Sequence, residues 1–163
     1  MPAARFASLL DDHRRIVFKV AAAYATNAED RLDLAQEIRT QLWRAYPSYD
    51  EGRPFSTWMY RIALNVAISF ARKAGSRGRR EEAFDGRWLD ELPGAATEPP
   101  DERLPLLLGA IAAQGPLDRA LLLLYLEDRS HREIADVLGI SETNVATKLG
   151  RLKQRLRDDM TRR

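Results

Sequence analysis

The chain has 163 residues, 45% hydrophobic and 31% charged, with a net charge of +2, a composition that suits one medium or two small folded domains. The absence of cysteine excludes disulfides and thiolate metal sites, and two distant histidines give metal ligation little support. No apolar run approaches the ~20 residues of a membrane span, and the N-terminus MPAARFASLLDDHRR lacks the apolar core of a secretory signal, which predicts a cytoplasmic protein.

Strand-type alternation and Asn-Gly hairpin turns are missing, so the fold is expected to be all-α. In LLDDHRRIVFKVAAAYA, the spacing of Leu9, Leu10, Ile16, Val17, Val20 and Tyr24 predicts an amphipathic first helix. AEDRLDLAQEIRTQLWRAYPSYD predicts a second, with Leu34, Ile38, Leu42 and Tyr46 inward and Asp33, Gln36, Glu37, Gln41 and Arg44 outward. The loop PSYDEGRP follows, bounded by Pro47 and Pro54. A third helix, FSTWMYRIALNVAISFARK, has an apolar stripe of Phe55, Trp58, Met59, Ile62, Val66 and Phe70. Beside it runs a ladder of Thr57, Arg61, Asn65, Ser69 and Lys73 at steps of four. A solvated face would explain the ladder; contact with a polyanion explains it better, because basic residues continue into RKAGSRGRR.

Residues 74–103 carry a net charge of −3 between blocks of +3 and +2, and contain Pro93, Gly94, Pro99 and Pro100, residues that stop helices. A boundary is expected there: a domain at 1–76, a linker at 77–103 with Trp88, Leu89 and Leu92 as docking contacts, and a second domain at 104–163. The second domain begins with LPLLLGAIAAQ, ends that helix at Gly115-Pro116 and resumes with the apolar LDRALLLLYLED.

Ser130 with Glu133 three residues on predicts a capping box opening a helix with Ile134, Ala135 and Leu138 inward. Gly139 supplies a sharp turn, Ser141 caps the next helix, and Val145, Leu149, Leu152 and Leu156 form its inner face. This is the pattern of a helix-turn-helix, whose second helix enters the DNA major groove. Glu142, Thr143, Asn144, Thr147, Lys148 and Arg151 on its outer face are of types that bond base edges or phosphates. From Ser141 to Arg157 there are five Lys/Arg against one Asp/Glu. A basic face that merely meets water is the competing reading.

DLAQEIRTQLWRAYPSYD, then FSTWMYRIALNVAISFARK, then HREIADVLGISETNVATKLGRLKQRL, in that order, resemble the extracytoplasmic-function (ECF) sigma factors, small two-domain bacterial sigma factors. The resemblance implies a region-2 helical bundle and a region-4 helix-turn-helix joined by a flexible linker. It implies that Asp33, Gln36, Glu37 and Gln41 bind the clamp helices of the largest subunit of core RNA polymerase. Reading and melting of the promoter −10 element would fall to Ser48, Tyr49, Asp50, Arg61, Asn65, Arg72 and Lys73, the loop forming a pocket for an extruded base while Trp58 and Ile62 hold the helix to its domain. Reading of the −35 element would fall to Arg129, His131, Glu142, Thr143, Asn144, Thr147, Lys148 and Arg151. The implied partners are core polymerase, promoter DNA and a separate anti-sigma factor, the family's usual route of regulation.

Three positions depart from the family pattern: Arg39 stands at a usually apolar position, Ser69 where an aspartate is common, and Gln114-Gly115-Pro116 where Leu-Pro usually enters the second domain. The alternative is a stand-alone helix-turn-helix regulator. An enzyme fares worst, because Gly-rich phosphate loops, His-Glu-x-x-His and cysteine nucleophiles are all missing. Ser130, His131 and Glu133 in SHRE read as a cap rather than a catalytic group, and no cofactor is expected.

Overall fold

The structure, a computed structural model, describes residues 2–77 and 109–162. These are helical and contain no strand, as the sequence predicts. The elements are α1 (Pro2–Asp12), α2 (Arg14–Tyr24), α3 (Ala28–Ala45), a 3₁₀ turn (Tyr46–Ser48) and α4 (Phe55–Arg77), then α5 (Pro116–Leu126), α6 (His131–Leu138) and α7 (Glu142–Thr161). Residues 109–112 are also helical. The expected linker contacts Trp88, Leu89 and Leu92 lie outside the described residues.

The expected first helix is two. The chain breaks at His13 with neither proline nor glycine to mark it: the His13 ring Nδ1 donates to the Leu9 carbonyl at 2.9 Å, and its backbone N–H lies 3.2 Å from both the Leu9 and Leu10 carbonyls. The break lets Phe6 on α1 reach the rings of Trp43 and Tyr46, at 5.3 and 4.9 Å. Asn27 caps α3, its side-chain oxygen accepting from the Asp30 N–H at 2.8 Å. Leu34, Ile38 and Leu42 are buried on the predicted inner face of α3. Arg39, at its usually apolar position, lies over the Phe18 ring at 5.3 Å, so its planar cation covers the apolar surface a hydrophobic residue would have covered.

The buried face of α4 is rotated from the expected stripe. Phe55, Met59, Tyr60, Ala63, Leu64 and Ala67 are buried, whereas Trp58, Ile62, Val66 and Phe70 are only partly buried. The reason is that α4 is packed by α2 and α3 and also by α5 and α6, so a wider arc than one amphipathic stripe is removed from water.

In the second half, the Ser130/Glu133 capping box is present and Gly139 adopts the left-handed conformation at φ 71°. Ser141 caps α7 by accepting from the Asn144 N–H at 3.0 Å. Ile134, Ala135, Val145, Leu149 and Leu152 are buried as expected, joined by Val137, while Leu138 and Leu156 are partly buried. Lys153 sits over the Tyr125 ring at 4.1 Å and Arg155 pairs with Asp118 at 3.0 Å, so two of the basic residues of α7 tie it to α5. Asp128, in the turn between α5 and α6, also has positive φ, 59°. Buried side chains from both halves form one continuous apolar cluster, from Phe6 to Leu152.

Candidate nucleic-acid interface

Two grooves and one helix face gather most of the residues singled out in the sequence. The first groove is walled by the loop after α3 and the start of α4: Ser48, Tyr49, Asp50, Arg53, Trp58 and Arg61. The loop is held by its own bonds. Asp50 Oδ1 accepts from the Gly52 N–H at 2.9 Å, and the Tyr49 hydroxyl donates to the Arg53 carbonyl at 2.6 Å. Ser48 Oγ donates back to the Ala45 carbonyl at 2.7 Å. Tyr49 packs on Trp58 at 5.0 Å and edge-on against Phe55 at 5.4 Å. Aromatic faces beside Arg53 and Arg61 form the combination that stacks nucleobases and neutralises their phosphates. Trp58 thus both anchors α4 and lines the groove.

The second groove lies between α3 and α4. Leu34, Ile62, Val66 and Phe70 line it, with Asp33, Glu37 and Gln41 on one rim and Asn65, Ser69 and Lys73 on the other. Asp33, Glu37 and Gln41 follow each other at steps of four along α3, and Gln41 donates to Glu37 Oε1 at 2.9 Å. Gln36 is exposed on a neighbouring line and does not reach this groove. The ladder on α4 is therefore divided: Thr57 and Arg61 face the loop groove, and Asn65, Ser69 and Lys73 face α3. Asn65 lies away from the loop and does not buttress it, and Arg72 is exposed outside both grooves.

The third region is the outer face of α7. Glu142, Thr143, Asn144, Thr147 and Arg151 are exposed, Lys148 is half-buried, and Thr147 Oγ1 donates to the Thr143 carbonyl at 3.0 Å. His131 is exposed at the start of α6. Arg129, expected at the −35 element, contacts other residues of the chain in this structure. Its guanidinium lies over the Tyr60 ring at 5.3 Å and pairs with Glu133 Oε2 at 3.2 Å, so it packs towards the N-terminal half. The Glu133 carboxyl is held below its ordinary pKa, first by its bond from the Ser130 N–H and then by Arg129. The opposite wall of the first groove comes from this half: Arg132, Glu133, Asp136, Gly139, Ile140 and Glu142.

Sequence reasoning missed the contacts between the halves. Lys19, Tyr24, Tyr60, Arg119 and Glu127 make them, and only Tyr24 stood out, as one more apolar position. The hydrogen-bonded partners of Lys19, Tyr24 and Arg119 across the halves are 92 or more residues away, a separation that local periodicity does not register. Groups of acidic residues and histidine able to hold a metal ion are not found among the described residues, and no described helix is long and apolar enough to cross a membrane.

Comparison with known proteins finds two family regions along the chain. Residues 9–77 match sigma-70 region 2 and residues 115–156 match sigma-70 region 4. The chain is 31% identical over 157 residues to the ECF RNA polymerase sigma factor SigE of Mycolicibacterium smegmatis, covering 92% of this chain and 59% of that protein. It is 26% identical over 165 residues to the ECF sigma factor SigW of Bacillus subtilis, covering 95% and 88%. Its fold matches that of the sigma factor RpoE of Bartonella quintana, solved with the anti-sigma factor NepR, with a TM-score of 0.75 at 19% identity over 96% of this chain and 97% of that one. Two regions matched in the right order, over a helical fold of the same kind, place this chain in the family of ECF sigma factors.

Proposed function

We propose that the protein is a promoter-specificity subunit of bacterial RNA polymerase, a non-enzymatic factor acting in the cytoplasm without a cofactor. In this reading residues 1–76 bind core polymerase and the −10 element, 104–163 bind the −35 element, and 77–103 tether them. The groove between α3 and α4 receives the clamp helices of the largest subunit: an apolar floor with acidic and amide rims suits an amphipathic helix. The aromatic and arginine groove around Tyr49, Trp58 and Arg61 receives the −10 strand, where a captured base offsets the few kcal/mol, roughly, of unstacking it. The outer face of α7 reads the −35 duplex.

The observation that carries the reading is the exposed face of a doubly capped helix-turn-helix, Thr143, Asn144, Thr147 and Arg151, following a region-2 match. A separate anti-sigma factor is proposed as regulator; RpoE, with the same fold, is solved bound to one. The test is run-off transcription from genomic fragments by purified core polymerase with and without this protein. New, discrete start sites are expected. Transcripts unchanged by the protein, together with tight binding to a palindromic duplex in the absence of polymerase, would instead identify a stand-alone regulator.

A further inference from the structure

Trp43, near the end of α3, is 51% exposed, yet its ring is braced from one side. Phe6 of α1 meets it at 5.3 Å with the two planes tilted by 57°, and the same Phe6 touches Tyr46 at 4.9 Å. Tyr46 in turn lies nearly parallel to Tyr49 at 6.0 Å, and Tyr49 rests on Trp58 at 5.0 Å. A single exposed aromatic is ordinary on a protein surface. This one ends a chain of touching rings that starts in the loop groove.

Trp43 stands in a further groove, lined with it by Arg5, Arg44, Tyr46, Tyr49 and Glu51. Its volume is about 1120 Å³, more than the roughly 300–1,000 Å³ of small-ligand pockets, so a nucleotide fits with its phosphate. Arg44 is exposed on its rim. Arg5 meets Glu51 at 3.1 Å with side chains 62% and 64% exposed, a pair that neutralises the carboxylate yet opens readily to another anion. Tyr49 lines this groove and the loop groove alike, so a polymer in one reaches the other by crossing a single side chain. A half-open indole flanked by two guanidiniums suits a base with its phosphates, because stacking tolerates any base and the cations neutralise the backbone. Continuity through Tyr49 favours a strand over a protein helix, which would gain nothing from that connection. We propose that this groove is a second stacking site for single-stranded DNA. Trp43 takes a base further along the strand whose extruded base sits in the loop groove, and Arg5 and Arg44 hold the phosphates between. The inference rests on the reading of the loop groove given above.

The test measures binding of two fluorescein-labelled, mixed-sequence DNA oligonucleotides to the full chain by anisotropy at low salt. One has about three nucleotides, enough for one groove, and the other about ten, enough to span both. The unaltered protein should bind the long one more tightly. Trp43→Leu keeps apolar cover on Phe6 but removes the π-face. It should weaken the long probe about tenfold and leave the short one within about twofold. Trp43→Phe keeps both properties and should stay within about threefold of the unaltered protein. Arg44→Gln should weaken the long probe about threefold and flatten its salt dependence, as loss of a phosphate contact does.

A long probe indifferent to Trp43→Leu, or weakened as much by phenylalanine as by leucine, would overturn the proposal. So would loss of core polymerase from a pull-down with Trp43→Leu while the long probe still binds normally; the groove would then belong to a protein helix. Should Trp43→Leu lose helix by circular dichroism, the salt dependence of Arg44→Gln decides instead, and an unchanged slope overturns the site. Arg61→Gln, which lies in the loop groove alone, should weaken both probes. If it does so while Trp43→Leu changes nothing, only the second site fails. If Arg61→Gln weakens neither probe while Trp43→Leu weakens the long one, the site at Trp43 stands and the reading of the loop groove fails.

Discussion

Glu133 shows how much one side chain can hold. It accepts from the Ser130 N–H and hydroxyl, and from Arg129, at the start of α6. Its pKa is lowered in the folded protein, first by the backbone bond from Ser130. A depressed carboxyl stabilises the fold above its unfolded pKa, near 4.5, and that contribution disappears as pH falls through the lower folded value. Glu133→Gln should therefore flatten part of the acid limb of a stability–pH curve below about pH 4.5 while changing little of its shape at neutral pH. Urea melts at several pH values measure it, and an unchanged acid limb would refute the assignment. The cap was legible in the sequence because Ser-x-x-Glu is a local pattern. The contact of Arg129 with Tyr60 was not, because that ring lies far away in the chain.

At the scale of elements, periodicity located α3, α6 and α7 and most of their inner faces, because each of them buries a simple stripe. It failed where an element has several neighbours or where a break carries no special residue. The rotation of the α4 core face comes from packing on more than two sides, and the His13 break comes from a side chain competing for its own helix carbonyls. The turn into α7 gives a clean test of local geometry. Gly139 has φ 71° and an added Cβ would meet nothing within 4 Å, so the cost of Gly139→Ala is backbone conformation alone. It should destabilise by roughly 1–2 kcal/mol, with Gly139→Asn costing less, since asparagine tolerates the left-handed region. Thermal melts of the two variants check both the size and the order.

Across the whole molecule, one buried cluster runs through both halves, so the seam between them contributes to the stability of each. Fragments 1–80 and 100–163 should each be helical by circular dichroism, and each should melt below the full chain because its seam face is exposed. Fragments that melt with the full chain would mean that the seam adds nothing. The sequence signalled two helical units in order, through composition and turn residues, but their mutual placement rests on contacts such as Lys19–Glu127 and Arg119–Ala23 that only the folded chain brings together.

The division of α4 between two grooves has a metric consequence. Arg61 lines the groove at the loop and Lys73 the groove at α3, twelve residues apart on one continuous helix. At 1.5 Å per residue they are about 18 Å apart along its axis. In the proposed reading one groove takes a nucleic-acid strand and the other a polymerase helix, so the single rigid helix acts as a spacer that holds the two partners at a fixed separation along its axis.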